Sequence, residues 1–153
     1  MKPRIYIDTS VIGGCYDDEF QESSKKLIDL FKSSTAIALI SELTKIELIN
    51  AQKRIQYIIS QISLNNIEEL QLTHESSTLA QHYINESVIG EANSIDAEHI
   101  AIATTNRADI LVSWNFRHIV NLARIRGYNG VNLKWGYPIL EIRTPSEVIS
   151  YEE

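Results

Sequence analysis

The 153-residue chain contains a single cysteine, Cys15, and only four histidines, which narrows the chemistry open to it. One thiol cannot close an internal disulfide, and no cluster of Cys and His residues has the spacing of zinc ligands. The sequence also lacks an apolar run long enough to span a bilayer, and no apolar signal core follows Lys2, Pro3 and Arg4. These absences favour a protein of the reducing cytoplasm without a membrane partner.

The composition is that of an ordinary folded protein. Hydrophobic residues make up 44% and charged residues 22% of the chain, which is typical of a soluble globular domain. A chain of 153 residues can bury a hydrophobic core that is large enough to be stable without disulfides or structural metals. No repeat, low-complexity segment or linker interrupts the sequence, so we expect one domain over residues 1–153.

The net charge of −6 is unevenly distributed. Residues 110–140 contain no Asp or Glu but hold Arg117, Arg124, Arg126 and Lys134, so the remaining residues carry −10. The overall acidity argues against a nucleic-acid partner, because a polyanion requires local cations. A cationic segment on an acidic body nevertheless fits the footprint of a phosphate backbone.

Short apolar runs alternate with segments of helical periodicity, which predicts βαβ units and an α/β fold with a parallel sheet. The predicted strands cover residues 4–8, 36–40, 68–72, 110–113 and 139–142, the third of them at an edge. The predicted helices cover residues 23–32, 41–50, 53–62, 76–85, 94–105 and 116–126, with Ser41 and Ser94 as N-caps and Gly127 as a C-terminal stop.

Polar residues follow the first and fourth predicted strands, at the edge where parallel α/β sheets bind ligands. Asp8 ends the first strand, and Ser113 and Asn115 follow the fourth, which we expect to lie beside it. A carboxylate directly after a buried strand is costly unless it is paired, caps a helix or binds a metal. Asp8 and Asn115 therefore each have two interpretations, a helix cap or part of a functional site.

Glu47 lies on the helix predicted from residue 41, on the same side as Leu43 and Asn50 and next to the apolar Ile46 and Ile49. This pattern places Glu47 at or beside the core-facing stripe, where a carboxylate is unusual. The alternative is a boundary glutamate whose side chain reaches the solvent.

Asp96 lies in the first turn of the helix that begins near Ser94. Acidic residues favour helix N-termini through the helix dipole, and Glu98 fits that ordinary role. Asp96 differs because it shares a helix face with His99 and Ala103. Histidines in such positions are more often structural than metal ligands, and we interpret His99 in that way.

The three carboxylates Asp8, Glu47 and Asp96 are all predicted at the carboxyl edge of one sheet. Carboxylates placed together repel one another and require a cation. Mg²⁺ takes oxygen ligands and retains several waters, and such a site can activate water against a phosphodiester. No histidine-based nucleophile system is evident, which favours metal-activated water over a covalent route.

Four segments of the chain resemble, in order and spacing, the motifs of the PIN-domain family. They are YIDTSVI at residues 6–12, SELTKIE at 41–47, IDAEHIAIA at 95–103 and ILVSWNF at 110–116. The resemblance spans nearly the whole chain and is closest to the VapC-like toxins of bacterial toxin–antitoxin pairs. It implies a three-layer α/β/α fold with a central parallel sheet of about five strands.

The resemblance also implies a Mg²⁺- or Mn²⁺-dependent ribonuclease, with Asp8, Glu47 and Asp96 as metal ligands and catalytic residues. Asn115 would complete the catalytic set, although the fourth motif of the family usually supplies an aspartate there. The neutral amide removes one negative charge, which bears most on a second metal position. Members of the group are commonly homodimers that are inhibited by a small antitoxin protein.

For RNA binding, the cationic segment supplies the candidates. We expect Ser113, Arg117, His118, Arg124, Arg126 and Lys134 to contact the substrate. Aromatic residues interleave with these cations, as single-stranded RNA binding requires. Tyr128, Trp135 and Tyr137 are predicted in a loop and are the better stacking candidates, whereas Trp114 and Phe116 are predicted in the core.

Two alternatives to a ribonuclease stay open. A catalytically weak or inactive PIN-like module that binds RNA or protein is favoured by Asn115 and the net acidity. An unrelated phosphotransfer protein is disfavoured by the residues around Asp8. A haloacid-dehalogenase-type phosphatase requires an aspartate at the position of Ser10, and a receiver domain requires an acidic pair before Asp8.

Overall fold

The computed structural model describes residues 1–152, with side chains through residue 150, and these residues form five strands and eight α-helices. The strands are β1 (Arg4–Ile7), β2 (Ile37–Ser41), β3 (Ile67–Leu70), β4 (Ile110–Val112) and β5 (Ile142–Arg143). The helices are α1 (Thr9–Gly14), α2 (Gln21–Lys32), α3 (Glu42–Ile49), α4 (Lys53–Ser60), α5 (His74–Asn85), α6 (Ser94–Thr105), α7 (Leu122–Lys134) and α8 (Pro145–Glu152).

The five strands form one parallel sheet in the order β3-β2-β1-β4-β5. The chain builds β1, β2 and β3 toward one edge and then adds β4 and β5 on the other side of β1. The strand order therefore reverses between β1 and β4, where Ile7 is in register with Val112. The predicted parallel sheet of five strands is confirmed, as is the edge position of β3.

Helices cover both faces of the sheet, because the side chains of β1 alternate between two apolar clusters. Ile5 and Ile7 point into the cluster that is completed by residues of α1, α2 and α8. Tyr6 points into the opposite cluster, which is completed by α5, α6 and α7. Both faces of β1 are thus buried, as is usual for a central parallel strand. The predicted three-layer α/β/α architecture is confirmed.

The predicted cap of α3 is correct, since Ser41 Oγ accepts a hydrogen bond from the Thr44 backbone N–H at 3.4 Å. Helix α8, which begins at Pro145, was not predicted. Proline is favourable in a first helical turn. The backbone N–H of Thr144 donates to Glu147 Oε1 and that of Glu147 to Thr144 Oγ1, which forms a capping box.

The helix predicted over residues 116–126 is wrong in position. Helix α7 begins after Asn121, whose Oδ1 accepts a hydrogen bond from the Arg124 backbone N–H at 3.2 Å, and it continues through Gly127. Gly127 does not stop the helix; a Cβ atom there would lie 2.7 Å from Val88 Cγ1. The glycine therefore permits close packing, and the loop expected after it is helical as far as Lys134.

Two smaller differences concern the end of the sheet and the first turn after it. The last strand was predicted at residues 139–142 and lies at Ile142–Arg143. Helix α1 was not predicted as a helix, although Asp8 was considered as its cap. None of the described helices is both long and apolar enough to cross a membrane.

Two glycines of α7 provide a matched test of this packing. We expect Gly127→Ala to lower the free energy of unfolding by about 1–3 kcal/mol, because the methyl group would overlap the stiff Val88 side chain. Gly130→Ala should instead be neutral or stabilising by up to about 1 kcal/mol, since no atom lies within 4 Å of its Cβ position. Urea denaturation of both variants measures the difference, and equal effects would contradict the packing role of Gly127.

Candidate functional site

The candidate site lies at the carboxyl ends of β1 and β4, where the strand order reverses. Asp8 directly follows β1 and Ser113 directly follows β4, and the two strand ends are in register. Ser113 Oγ donates a hydrogen bond to Asp8 Oδ2 at 2.6 Å. The predicted adjacency of these two residues is therefore confirmed.

Asp8 is almost fully buried, with 5% of its surface exposed. Its carboxylate accepts hydrogen bonds from Ser10 Oγ at 2.6 Å, Ser113 Oγ at 2.6 Å and the Val11 backbone N–H at 3.3 Å. The last of these bonds makes Asp8 the N-cap of α1. Burial raises the pKa of the Asp8 carboxyl group, and the hydroxyl donors counteract that rise. All three donors are neutral, so the carboxylate is oriented without being neutralised.

Glu47 lies on α3 and faces a histidine of α6. His99 Nε2 is 3.0 Å from Glu47 Oε1, and the Glu47 side chain is 41% exposed while that of His99 is buried. The His99 hydrogen bond lowers the pKa of the Glu47 carboxyl group more than burial raises it. The Glu47 carboxylate is therefore held by a buried histidine, for which the sequence predicted only a structural role.

The apolar stripe predicted beside Glu47 is wrong. Ile46 and Ile49 are both exposed, and the buried residues of α3 are Thr44 and Leu48. The first turn of this short helix therefore sets which side is buried. Ser41 caps the helix there, and the Thr44 side chain is buried. Glu47 stands beside Leu48 at the border of that buried side.

Asp96 occupies the first turn of α6, as predicted, and is partly buried. Burial is the main cause of a raised pKa for its carboxyl group. Asp8 and Glu47 raise this pKa further through their negative charges, whereas His118 and His99 lower it. The three acidic residues therefore share one electrostatic environment, although they come from three different elements.

Asn115 is fixed by both ends of its side chain. Its Oδ1 accepts hydrogen bonds from the backbone N–H groups of His118 at 2.9 Å and Arg117 at 3.2 Å, so it caps the turn that follows β4. Its Nδ2 donates to Asp96 Oδ1 at 3.4 Å. The capping role that the sequence suggested is present, and the amide also presents a neutral donor to the acidic site.

The predicted RNA-contacting cations fall into two groups. The side chains of Arg117 and Arg126 form no hydrogen bond or ion pair with the described part of the chain. Arg124 donates to the backbone carbonyl of Val88, and Lys134 pairs with Glu86 at 3.1 Å. Lys134 also ends α7, roughly 18 Å along the helix from its start. Arg117, at the beginning of the cationic segment, lies beside Asn115, which bonds to Asp96.

The aromatic residues are placed differently from the prediction. Tyr128 is fully buried on α7 and cannot stack a base. One face of Trp135 is stacked on His82, with a centroid distance of 3.8 Å. Trp114 is partly buried and stacks on Phe20. Phe116, which was predicted in the core, is 51% exposed, because the chain after β4 forms a turn rather than a helix.

Three buried polar atoms of the described side chains have no hydrogen-bond partner, namely Thr9 Oγ1, Thr44 Oγ1 and His118 Nδ1. All three adjoin the acidic site: Thr9 follows Asp8, Thr44 precedes the acidic residue of α3 by one turn, and His118 lies near Asp96. Unpaired buried polar atoms are rare in folded proteins. The Thr9 hydroxyl nevertheless interacts with Glu47 and the Thr44 hydroxyl with Tyr6, so these groups belong to the polar surroundings of the site.

Among the side chains that the structure describes, through residue 150, no three Asp, Glu, His or Cys residues form a ready-made set of direct ligands for one ion. Mg²⁺ does not require such a set, because it usually binds through one or two carboxylates and keeps several waters. Oxygen donors of mutually repelling carboxylates fit a hydrated divalent cation in this way.

Opposite pKa shifts predict opposite stability effects for two neutralising substitutions. The raised pKa of Asp96 means that its ionised form destabilises the fold at neutral pH, so Asp96→Asn should raise the melting temperature in EDTA. The lowered pKa of Glu47 means that its ionised form stabilises the fold, and this contribution is lost as the pH falls through the folded-state pKa. Glu47→Gln should therefore lower the melting temperature.

Thermal unfolding at pH 7, followed by circular dichroism, measures both shifts. Glu98→Gln is the matched control because it neutralises an acid two residues after Asp96 on the same helix, on a different face. Shifts of the same sign for Asp96→Asn and Glu47→Gln would contradict the electrostatic description of the site.

The sequence matches no protein-family model and no curated relative. Solved structures match it in fold. One is a chain of the VapBC2 complex from Rickettsia felis, which was solved bound to a DNA fragment from the promoter of VapBC2. Its TM-score is 0.56 and its sequence identity 13%, and the match covers 92% of this chain and 98% of that chain. Another is VapC20 of Mycobacterium tuberculosis, a toxin that cleaves the sarcin–ricin loop. Its TM-score is 0.55 and its sequence identity 15%, and the match covers 74% of this chain and 91% of that chain. The chain thus has the PIN-like fold of VapC toxins, as its motifs predicted.

Proposed function

We propose that the chain is a metal-dependent endoribonuclease, the toxin of a toxin–antitoxin pair, which hydrolyses RNA phosphodiester bonds with metal-activated water. The observation that carries the proposal is the convergence of three carboxylates at the reversal point of the sheet. The two polar residues that follow β4 bond to two of them, Ser113 to Asp8 and Asn115 to Asp96. His99, one helical turn after Asp96, bonds to the third, Glu47. Ligands of parallel α/β domains bind at such points. Carboxylates that repel one another there favour binding of a cation.

In this proposal Asp8, Glu47 and Asp96 hold Mg²⁺ or Mn²⁺. Such a cation lowers the pKa of bound water and stabilises negative charge on a phosphodiester. Ser113 orients Asp8 through a 2.6 Å hydrogen bond and is also predicted to contact the substrate. Asn115 places its amide donor beside Asp96, where it would bind water or a phosphate oxygen.

The predicted RNA contacts begin next to the acidic residues. Arg117 and His118 follow Asn115 directly, and an exposed Arg117 side chain is available to a phosphate group. Phe116 offers an exposed ring for stacking at the same edge. Farther along, Arg126 is exposed as well, while Arg124 and Lys134 would have to exchange the intramolecular partners described above for RNA.

The partners proposed are RNA, a small antitoxin and a second copy of the chain, in the cytoplasm. VapC20 supports RNA as substrate, since it is a toxin that cleaves the sarcin–ricin loop. VapBC2 supports an antitoxin partner. The exposed Ile46 and Ile49 on α3 and Tyr57 on α4 support an interface between copies.

One observation favours the alternative of a weak or inactive RNA- or protein-binding module. The side-chain oxygen of Asn115 is already bonded to two backbone N–H groups, and its amide nitrogen faces Asp96. The fourth motif therefore contributes a donor where an aspartate would contribute a further negative ligand.

The first experiment is cleavage of a mixed single-stranded RNA pool in Mg²⁺, Mn²⁺ or EDTA. We expect cleavage only with a divalent cation, and a loss of more than about 100-fold for Asp8→Asn and Asp96→Asn, because each removes a proposed ligand. Glu98→Gln is the control and should retain activity. A folded wild-type protein that binds RNA but never cleaves it would favour the binding module.

A second experiment tests the fourth motif with Asn115→Asp. The new carboxylate can keep the turn capped, but it lies against Asp96, so the melting temperature in EDTA should fall. The stabilisation gained on adding Mn²⁺ should increase, because the site carries one more negative charge. Asn121→Asp is the matched control, since it makes the same change at the N-cap of α7. Equal responses of the two variants to Mn²⁺ would argue against a role for Asn115 at the metal site.

A further inference from the structure

We propose that His99 is a positioning residue that fixes the carboxylate of Glu47 for divalent-cation binding. This inference rests on the proposed function, because it assigns a role in that same site.

Both ring nitrogens of His99 are engaged, and the residue is 3% exposed. Nε2 lies 3.0 Å from Glu47 Oε1, and Nδ1 lies 2.6 Å from the Tyr6 hydroxyl oxygen. A carboxylate only accepts hydrogen bonds, so the bond to Glu47 uses a proton on Nε2. The Tyr6 ring packs edge-on against the imidazole at a centroid distance of 5.8 Å. With both nitrogens bonded and one ring edge packed, the imidazole has a fixed orientation.

The contact continues from Tyr6 back to the start of α3. The Tyr6 hydroxyl is hydrogen-bonded to Ser41 Oγ at 2.8 Å, and Ser41 Oγ caps α3 by accepting from the Thr44 backbone N–H. The first turn of α3 and Glu47 in its last turn are therefore tied to the same buried Tyr–His pair. This arrangement fixes the helix and its carboxylate relative to β1.

His99 also connects two of the proposed metal ligands, Asp96 and Glu47, within the structure. It lies one helical turn after Asp96 on the same face of α6. Helix α6 thus carries Asp96 directly and holds Glu47 through His99. Because the Glu47 side chain is 41% exposed, it would be less ordered without His99, and the entropic cost of ordering it would weaken cation binding. Residues that orient metal ligands typically contribute 10–100-fold, in order of magnitude, to metal affinity.

The test measures Mn²⁺ affinity by isothermal titration calorimetry on the full chain, independently of cleavage. We expect His99→Leu to weaken binding by about 10–100-fold, because the Nε2–H donor that orients Glu47 is lost. His99→Gln should restore affinity to within about threefold of the wild type, since its amide nitrogen can replace Nε2 as the donor. Circular dichroism establishes that each variant is folded.

Tyr6→Phe and Tyr83→Phe form a second, milder comparison in case His99→Leu fails to fold. Each removes a hydroxyl from a buried tyrosine of the same apolar cluster, but Tyr83 bonds to Asn132 rather than to His99. Tyr6→Phe should weaken Mn²⁺ binding, and Tyr83→Phe should leave it unchanged while lowering stability. A merely structural role for the network would lower stability in both without changing affinity in either.

The outcomes separate the two proposals. Wild-type binding of Mn²⁺ with unchanged affinity in folded His99→Leu, or with equal affinities in the two tyrosine variants, would overturn the positioning role alone. Absence of Mn²⁺ binding by the wild-type protein would overturn the metal-dependent function and the positioning role together.

Discussion

The burial of β1 on both faces is the constraint on which the rest of the structure depends. A strand paired on both sides and covered by helices must end where the chain leaves the apolar layers, and here it ends in a carboxylate. Asp8 is held in that dry position by hydroxyl and backbone donors, which stabilise its charge without neutralising it. One of those hydroxyls belongs to Ser113, which directly follows the neighbouring strand β4. The register of the sheet therefore sets the geometry at Asp8.

The acidic residues divide into two kinds according to what surrounds them. Asp8 and Asp96 are disfavoured as anions by burial, whereas Glu47 is favoured by a buried histidine. Because one of the three carboxylates is stabilised as an anion, the site is compatible with a stable fold. The other two carboxylates still favour the binding of a cation.

The sequence was informative where a single local rule decides the structure. Apolar runs predicted all five strands to within a few residues, and the carboxyl ends of parallel strands brought Asp8 and Ser113 together. Rules failed where a tertiary contact competes with a local signal. The sequence predicted Gly127 as a helix stop, but this glycine permits close packing against Val88. It also predicted Ile46 in a core-facing stripe, but Ile46 is exposed. The His99 contact with Glu47 joins residues 52 positions apart, which helical spacing alone cannot reveal.

The partners of the cationic side chains have a consequence for how RNA would be held. A side chain that already bonds within the protein gains less from a phosphate group, and Arg124 and Lys134 are in that situation. Each phosphate contact to a single strand steepens the dependence of binding on ionic strength by about 0.7 in logarithmic slope. With few uncommitted cations among the described residues beside the acidic site, the affinity of the proposed RNA complex should depend only weakly on salt. Discrimination among RNAs would then come from the shape of the strand and the stacking of its bases, rather than from the charge of its backbone.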